Sequence, residues 1–468
     1  MSTDFTIVGA GPAGLTTAWL LSKYGYSCTI IEANDSIGGC HRVQRVNNLF
    51  SEHGPRIYSN SYLNYQMILK DMGLNFYDFY TKYDFTISNI GSKSIFSLSY
   101  SELGSFFTAF LKLIFNRDYG KTISMKSFME NKNFSSKSKD YIDRLCRLTD
   151  GADSSKYTLY EFLQLANQQS FYTLYQPNKP NDVGLFKIME NKLKEKGINI
   201  LLNTKVITLE ISGQSVSSIT IQTSSKQVSK INVNNLILCV PPVFLYSILQ
   251  NSKLEDAFGC NLACENWVSK NSYIPYISTA FHWNSKIDLP KVWGFPSTKW
   301  GIVFVVLSNY MNFEQPESQT VISTAISILD VKNDAGKLPS ECTEEELITE
   351  ILKQLRESFS DLPSPTKYVI YPIEESAFVF TNDNSYLNFQ ADNIPNLYTV
   401  GTHNGKSLYH FTSYESAVTN SIAFVHSIIP SSKKDFPIKK LFTLISFISF
   451  LYIVFFLAII LILIKIKC

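Results

Sequence analysis

The N-terminal sequence Phe5-Thr-Ile-Val-Gly-Ala-Gly-Pro-Ala-Gly-Leu15, followed by Cys28-Thr-Ile-Ile-Glu-Ala33, decides how this chain is organised. Residues 6–8 are β-branched and predict a buried strand, and residues 28–31 form a second apolar run of the same kind. Residues 16–24 between them predict a helix that ends at the following glycine. The opening of the chain is therefore predicted to be a βαβ unit.

Gly9, Gly11 and Gly14 give this unit the spacing G-x-G-x-x-G, with Pro12 and Ala13 between the last two glycines. The first glycine permits a tight turn, the second lets a pyrophosphate approach the backbone, and the third allows close packing of helix and strand. The N-terminus of the helix offers N–H groups and a partial positive charge to phosphates. The pattern predicts a site for a dinucleotide.

Glu32 and Ala33 follow the second apolar run, about 20 residues after the glycines, where dinucleotide-binding proteins carry an acid for the ribose hydroxyls. The alternative is an ordinary glycine-rich turn that binds no ligand. The order of strand, glycines, helix, strand and acid favours the ligand.

Composition excludes several classes of function. The chain has 468 residues, which indicates two or three structural units, and its 42 basic and 40 acidic residues give no sign of a nucleic-acid partner. The eight cysteines are scattered without metal-ligand spacing, so we expect no metal site and a reducing compartment. The N-terminus lacks a basic region before its broken apolar stretch, which argues against a signal peptide.

The C-terminal segment from Leu441 to Ile464 is uncharged and almost wholly apolar. At 1.5 Å per residue, a helix of this length reaches roughly 36 Å, enough to cross a bilayer with some tilt. Lysines lie on both sides of it, and those upstream favour a cytosolic body. We expect a single transmembrane helix that anchors the chain by its tail.

Two further glycine motifs follow the first unit. Gly38 and Gly39 precede Arg42 and can bring backbone N–H groups to phosphate or ribityl oxygens, although a plain hairpin turn is the alternative. The sequence Ser51-Glu-His-Gly-Pro-Arg-Ile-Tyr58 then contains Gly54, Pro55 and Arg56.

These motifs, in this order and spacing, resemble the flavin-containing amine oxidase superfamily. It contains monoamine and polyamine oxidases, protoporphyrinogen oxidase, phytoene-desaturase-like enzymes and, more distantly, UDP-galactopyranose mutase. The resemblance implies an α/β fold in which a Rossmann-like FAD-binding domain is interleaved with an α+β substrate domain, before the transmembrane helix. The implied boundaries are 1–85, 176–245 and 390–428 for the FAD domain, 86–175 and 246–389 for the substrate domain, and 429–440 for a linker.

Local patterns agree with this order of elements. Helices are predicted mainly over residues 60–73, 100–166, 182–196 and 343–359, and strands over 276–283, 301–307 and 321–329. Residues 206–211 and 218–222 alternate as the strands of a hairpin.

The resemblance also implies the residues that bind FAD. The residue matching Val206 contacts adenine through its backbone, and the helix that starts near Ser413 directs its N-terminus at the flavin. The implied cofactor-binding set is Gly9, Gly11, Pro12, Ala13, Gly14, Glu32, Ala33, Gly38, Gly39, Arg42, Gly54, Pro55, Arg56, Val206, Gly401, Ser413, Glu415 and Ala417. The chain lacks the cysteine motif for covalent flavin attachment, so FAD is expected to be non-covalent.

Arg56 and His403 are the candidate catalytic residues. By resemblance Arg56 lies beside the flavin ring, where it can face the ring or a substrate anion; a surface arginine is the alternative. His403 follows Gly401, where relatives commonly carry an acid, and a structural histidine is its alternative, as for His282 and His410. Many amine oxidases carry a lysine where this chain has Tyr276, which places simple amine oxidation in question.

The sequence thus predicts a membrane-anchored, FAD-dependent oxidoreductase that transfers hydride from a substrate C–H to flavin N5, with oxygen or another acceptor reoxidising the flavin. The anchor suggests a small, lipophilic substrate. Two alternatives stay open: a non-redox flavoenzyme of the UDP-galactopyranose mutase type, which would need several arginines for the diphosphate, and a tail-anchored scaffold that holds FAD without catalysis.

Overall fold

The computed structural model of the chain describes residues 3–88, 98–259, 267–268, 272–371, 377–379, 386–407 and 413–467. Its helices in these ranges are α1 (Pro12–Lys23), α2 (Leu63–Asp71), α3 (Phe76–Phe79), α4 (Tyr100–Phe115), α5 (Met125–Asn131), α6 (Ser136–Asp150), α7 (Leu159–Gln169), α8 (Leu185–Glu195), α9 (Pro242–Asn251), α10 (Glu344–Leu355), α11 (Tyr414–Ile428), α12 (Ser432–Asp435) and α13 (Leu444–Lys467).

The strands in the same ranges are β1 (Phe5–Val8), β2 (Cys28–Ile31), β3 (Val43–Val46), β4 (Leu49–Glu52), β5 (Tyr58–Ser59), β6 (Tyr80–Lys82), β7 (Thr86–Ser88), β8 (Leu174–Pro177), β9 (Asn199–Leu201), β10 (Thr204–Ser212), β11 (Ser215–Thr223), β12 (Val228–Asn232), β13 (Asn235–Leu238), β14 (Ser272–Ile274), β15 (Ile277–Trp283), β16 (Val292–Gly294), β17 (Ile302–Val306), β18 (Thr320–Ile326), β19 (Lys367–Tyr371), β20 (Ala377–Val379) and β21 (Leu397–Thr399).

A five-stranded parallel sheet forms the centre of the nucleotide-binding part, in the order β21-β13-β1-β2-β9. In β1, Ile7 pairs with Ile30 on one side and Ile237 on the other, and all three side chains are fully buried. Such short, wholly apolar strands are typical of parallel sheets covered on both faces. The predicted Rossmann-like α/β organisation is confirmed at this level.

The first helix begins earlier than the sequence pattern predicts. It starts at Pro12, not near residue 16, because proline at the first helical position has a φ suited to the helix and lacks an N–H group that would have no partner there. Gly11 precedes it as an extended N-cap residue. The glycine turn and the helix are therefore one continuous structure.

A six-stranded sheet forms the second part, in the order β19-β15-β18-β17-β16-β7. Its strands pair antiparallel except β16 and β7, which are parallel. α10 packs on it, with Ile351 and Leu355 buried against the sheet's apolar face. Helices α4 to α7 form a separate core that contains Leu113, Phe128 and Leu163.

The segment predicted as a linker contains α12 and contacts the body of the protein. Asn64 forms two hydrogen bonds with the backbone of Lys439, at 2.8 and 3.2 Å, and the Tyr24 hydroxyl donates to Asp435 at 2.8 Å. Phe436 is buried in the same core as α1 and α11. The segment between α11 and α13 is therefore fixed to the nucleotide-binding part.

The predicted transmembrane span from Leu441 to Ile464 coincides mostly with α13. Ile445 is buried, and its N–H donates to Asn167 Oδ1 at 2.9 Å, so the first turn of this helix is attached to α7. Side chains 454, 456 and 458–468 lie outside the described residues. Among the residues that the structure does describe, no helix is both long and apolar enough to cross a membrane, so the predicted span is not supported here.

Candidate functional site

The glycine turn after β1 has the shape that its spacing predicts. Gly9 lies in the left-handed region with φ of +104°, and a Cβ there would lie 2.5 Å from the carbonyl oxygen of Cys239. A Cβ on Gly14 would lie 1.9 Å from the carbonyl oxygen of Gly9. Gly11 gives α1 no side-chain cap, so backbone N–H groups form the end of this helix. The turn can accept an anion such as a phosphate.

Glu32 lies directly beside this turn. Its Oε2 accepts a hydrogen bond from Ala10 N at 2.7 Å, and its Oε1 accepts from the backbone and side chain of Asn34 at 3.0 and 2.6 Å. Glu32 is buried as a residue, with 5% of its surface exposed, and the neighbouring Ala33 is exposed. Because a carboxylate has about four lone-pair sites, Glu32 retains acceptor capacity for ribose hydroxyls.

The second pair of glycines contacts the first turn. Gly38 N donates to Ala10 O at 2.8 Å, and a Cβ on Gly39 would lie 3.0 Å from Gly11 Cα. Both glycines have positive φ, at +119° and +58°. The two turns therefore form one continuous backbone surface beside the start of α1.

Arg42 connects this surface to the six-stranded sheet. Its Nη1 donates to Gly39 O at 3.3 Å, and its Nη2 donates to the hydroxyl of Tyr371 at 2.8 Å. The motif residue Arg42 thus lies where the nucleotide-binding part meets the second sheet.

Arg56 belongs to a second cluster at this junction. Its Nη2 donates to His53 Nδ1 at 2.8 Å, and the Tyr276 hydroxyl also hydrogen-bonds to that nitrogen. The His53 ring packs edge-on against Tyr276 and Tyr371, at centroid distances of 5.1 and 5.6 Å. Gly54 allows this approach, because a Cβ there would lie 3.2 Å from the Tyr276 ring.

His53 is electrically neutral in this cluster. Burial, together with the nearby Arg56, Arg42 and His41, lowers the pKa of His53 to about 2. The ring therefore acts as a hydrogen-bond acceptor for Arg56. Sequence reasoning missed His53, although it directly precedes the Gly-Pro-Arg motif.

By the resemblance, Tyr276 stands where many amine oxidases carry lysine. It directly precedes β15, and burial raises the pKa of its hydroxyl well above the ordinary value. A tyrosine hydroxyl and a neutral histidine ring therefore lie together at this point.

The later motif residues return to the first βαβ unit. Val206 is buried in the same core as Val8 and Ile31, which end β1 and β2. α11 packs on α1, and the Ser421 hydroxyl donates to Ala13 O at 3.0 Å. Gly401 follows β21, which is joined to β1 through β13. Three distant segments thus meet around the glycine turn.

Ser413 and Glu415 have clear roles within the chain. Ser413 is the N-cap residue of α11, where its hydroxyl accepts from Ser416 N at 3.1 Å. Glu415 is buried and accepts hydrogen bonds from the N–H groups of Asn64 and Tyr65, both at 2.9 Å. Glu415 therefore caps α2 and joins it to α11, while Ala417 packs in the core between α1 and α11.

His403 is a packed, neutral ring. Its Nε2 lies 2.8 Å from the Thr399 hydroxyl, and burial lowers its pKa to about 4. A Cβ on Gly401 would lie 2.6 Å from this ring, so the two residues fit closely together. His282 is likewise buried, with its nitrogens 2.9 Å from Ser318 Oγ and Phe50 O, whereas His410 lies outside the described residues. The catalytic role of His403 stays a prediction.

Comparison with known proteins places this geometry in context. A family model described as an NAD(P)-binding Rossmann-like domain matches residues 7–72. An L-amino-acid oxidase from Demansia vestigiata is 27% identical over 271 residues, which cover 50% of this chain and 50% of that protein. An L-amino-acid oxidase from Sistrurus catenatus edwardsii is 31% identical over 78 residues, 17% of this chain and 15% of the relative. The chain thus matches half or less of the length of these curated relatives.

Solved structures resemble the fold over most of its length. Putrescine oxidase bound to putrescine has a TM-score of 0.63 at 16% identity, covering 92% of this chain and 99% of that chain. An oxidoreductase from Methanosarcina mazei has a TM-score of 0.60 at 14% identity, covering 90% and 99%. With the sequence relatives, these similarities confirm the resemblance to the flavin-containing amine oxidase superfamily that the motifs predicted.

Proposed function

We propose that this chain binds FAD non-covalently and is a FAD-dependent oxidoreductase of the amine oxidase type. The observation that carries the proposal is the joined surface of the two glycine turns, with Glu32 beside it and the N-terminus of α1 at its edge. This surface has no side chain where a pyrophosphate must approach. The named relatives support the same cofactor class.

Each part of the site has a proposed task. Backbone N–H groups at the start of α1 hold the diphosphate, and Glu32 holds the ribose hydroxyls. Arg42 fixes the second glycine turn to Tyr371 and so closes one side of the site. When bound, FAD supplies two-electron chemistry, accepting hydride from a substrate C–H and returning electrons to oxygen or another acceptor.

The substrate side is proposed to be the cluster of His53, Arg56, Tyr276 and Tyr371. The aromatic rings form an apolar wall that limits the access of water, and Arg56 offers positive charge to an anionic substrate group. By their names, the relatives oxidise L-amino acids and putrescine, and Arg56 favours the amino acid, whose carboxylate it can bind, so the proposed substrate is a small amino acid.

Spectroscopy of the purified protein tests the cofactor. We expect the protein to show a flavin absorbance spectrum. After denaturation the flavin should separate from the protein with the small molecules, as non-covalent binding requires. A colourless protein that cannot be reconstituted with FAD would refute the proposal.

Anaerobic mixing tests the reaction. An oxidoreductase bleaches its flavin when an L-amino acid or putrescine is added, whereas a mutase needs flavin reduced beforehand. If the protein binds flavin but no amine, amino acid or other C–H donor bleaches it, the enzyme proposal is refuted and a non-catalytic scaffold is the better interpretation.

We also propose that the C-terminal segment attaches the protein to a membrane, with the body on the cytosolic side. Support comes from the apolar sequence of residues 441–464 and from exposed side chains on α13, among them Phe450, Tyr452 and Phe455. We expect the full chain to float with phosphatidylcholine vesicles that contain phosphatidylserine. A chain ended after Phe447 should stay in the dense fraction, and equal flotation of both would refute this attachment.

A further inference from the structure

A small cavity beside Arg56 is lined by residues with buried polar atoms that have no hydrogen-bond partner. Among the described residues, six buried side-chain atoms lack a hydrogen bond, and three of them, Glu52 Oε1, Arg56 Nε and Gln176 Nε2, belong to residues that line this one cavity. An unpaired buried polar atom is costly, and such atoms are few in folded proteins. Three such atoms on residues that line one cavity point to a ligand site.

The cavity lies between three elements and is small. Glu52 ends β4, Gln176 is in β8, and Arg56 follows the Gly-Pro turn. Its volume is about 10 Å³, close to what one water molecule requires. Gln176 is only 1% exposed, so its amide cannot reach bulk solvent.

The other polar groups around the cavity already have partners. Asn181 Nδ2 donates to His41 O at 3.2 Å and to the Tyr58 hydroxyl at 3.4 Å, and that hydroxyl lies 2.9 Å from His41 Nδ1. The unpaired atoms are therefore two donors, from Arg56 and Gln176, and one acceptor, from Glu52.

We propose that this cavity binds one neutral hydroxyl-type oxygen, which accepts hydrogen bonds from Arg56 and Gln176 and donates one to Glu52. A carboxylate has no proton to donate to Glu52 Oε1, and an ammonium group would be repelled by Arg56 and could not accept its hydrogen bond. The volume of the cavity fits this oxygen as that of an ordered water, with Val43, Phe50 and Met311 as the apolar part of the lining.

The bound oxygen positions Arg56. One edge of the guanidinium is held by His53, which in turn contacts Tyr276. The oxygen fixes the Nε edge, so the orientation of the arginine depends on the cavity being filled. This inference does not rest on the proposed oxidoreductase activity, because it concerns contacts within the chain.

The sign of a stability change tests the proposal in the full-length protein. Gln176→Met keeps the side-chain length but removes the donor, so it lowers the Tm if an oxygen is bound. If the cavity is empty, the same change removes an unsatisfied amide and leaves the Tm unchanged or raises it. Thr279→Val is the matched control, since Thr279 Oγ1 is buried and unpartnered but does not line this cavity. Equal behaviour of the two variants would overturn the proposal.

A high-resolution crystal structure of the unmodified protein tests the same point without a variant. Density within hydrogen-bond distance of all three atoms supports the proposal, and an empty cavity overturns it. Density in crystals grown without alcohol assigns a water. Density that appears only in crystals grown with methanol would overturn the assignment of a water.

Discussion

Glu32 shows how one side chain joins two tasks. In the free chain its carboxylate fixes the glycine turn through Ala10 and orders the following turn through Asn34. The ribose of a bound dinucleotide would share the same two oxygens. Removing the charge is therefore expected to weaken both the binding of a dinucleotide and the turn that Glu32 holds.

Glu32→Gln is expected to lower the affinity for FAD roughly tenfold, because hydrogen bonds to a neutral amide are weaker than those to a carboxylate. Flavin fluorescence titration of apoprotein measures the change. Asp35→Asn is the control, because Asp35 is exposed and lies three residues beyond Glu32. An equal loss of affinity in both variants would show that Glu32 has no specific role.

Gly14→Ala is expected to prevent normal folding, since its Cβ would lie 1.9 Å from a backbone oxygen that cannot move away without opening β1. Gly104→Ala is the opposite case, because Gly104 lies in α4 with open space around it. There alanine should stabilise the protein by up to about 1 kcal/mol through helix propensity. Soluble yield and Tm distinguish the two, and a stable Gly14→Ala protein would contradict the close packing of α1 on β1.

His282 connects two strands, because its side chain on β15 hydrogen-bonds to the backbone of β4. Its Nε2 donates to Phe50 O and its Nδ1 accepts from Ser318 Oγ, both at 2.9 Å. Burial lowers its pKa to about 4 from 6.5. The unfolded chain therefore binds an extra proton between pH 6.5 and pH 4, and stability falls as the pH is lowered through this window.

We expect the stability advantage of the natural protein over His282→Gln to be largest above pH 6.5 and to shrink towards pH 4. The full change is on the order of 3 kcal/mol. Denaturant unfolding at several pH values measures it. Ser318→Ala removes one hydrogen bond but keeps the imidazole, so its pH profile should keep the natural slope; a pH-independent difference for His282→Gln would contradict the neutral ring.

Elements formed by local patterns could be predicted from the sequence, whereas contacts between distant segments were predicted only where the resemblance named them, as for Val206. The glycine turn, α1, β2 and Glu32 lie within 32 residues, and each follows from spacing and backbone conformation. The cluster of His53 and Tyr276 joins residues 223 positions apart, and no periodicity indicates such a pair. Tyr276 was noted only for the lysine it replaces, and His53 gave no signal beyond its place before Gly54.

At the scale of the whole molecule, the segment after α11 is part of the folded body. Phe436 is buried beside α1 and α11. Asn64 hydrogen-bonds both to the backbone of Lys439 and to the carboxylate of Glu415. The sequence predicted a linker here because it is rich in serine, lysine and proline. Composition could not indicate that its backbone has specific partners.

A chain ended after Ile428 should therefore unfold at a lower temperature than one ended after Phe447. The shorter chain loses the burial of Phe436 and the hydrogen bonds of Lys439, together about 3–5 kcal/mol. Thermal unfolding followed by circular dichroism compares the two, and the longer chain serves as the control because it keeps Ile445 in place. Equal midpoints would show that this segment contributes nothing to stability.

The strand order of the parallel sheet also bears on how the protein emerges during synthesis. β13 can pair with β1 as soon as Leu238 has left the ribosome. The opposite edge of β13 stays unpaired until β21 has been synthesised. At ~5–20 residues per second, translation from Leu238 to Leu397 takes roughly 8–30 s. Throughout that interval the edge of β13 that β21 later covers stays unpaired, and an unpaired strand edge can pair with other chains unless it is covered.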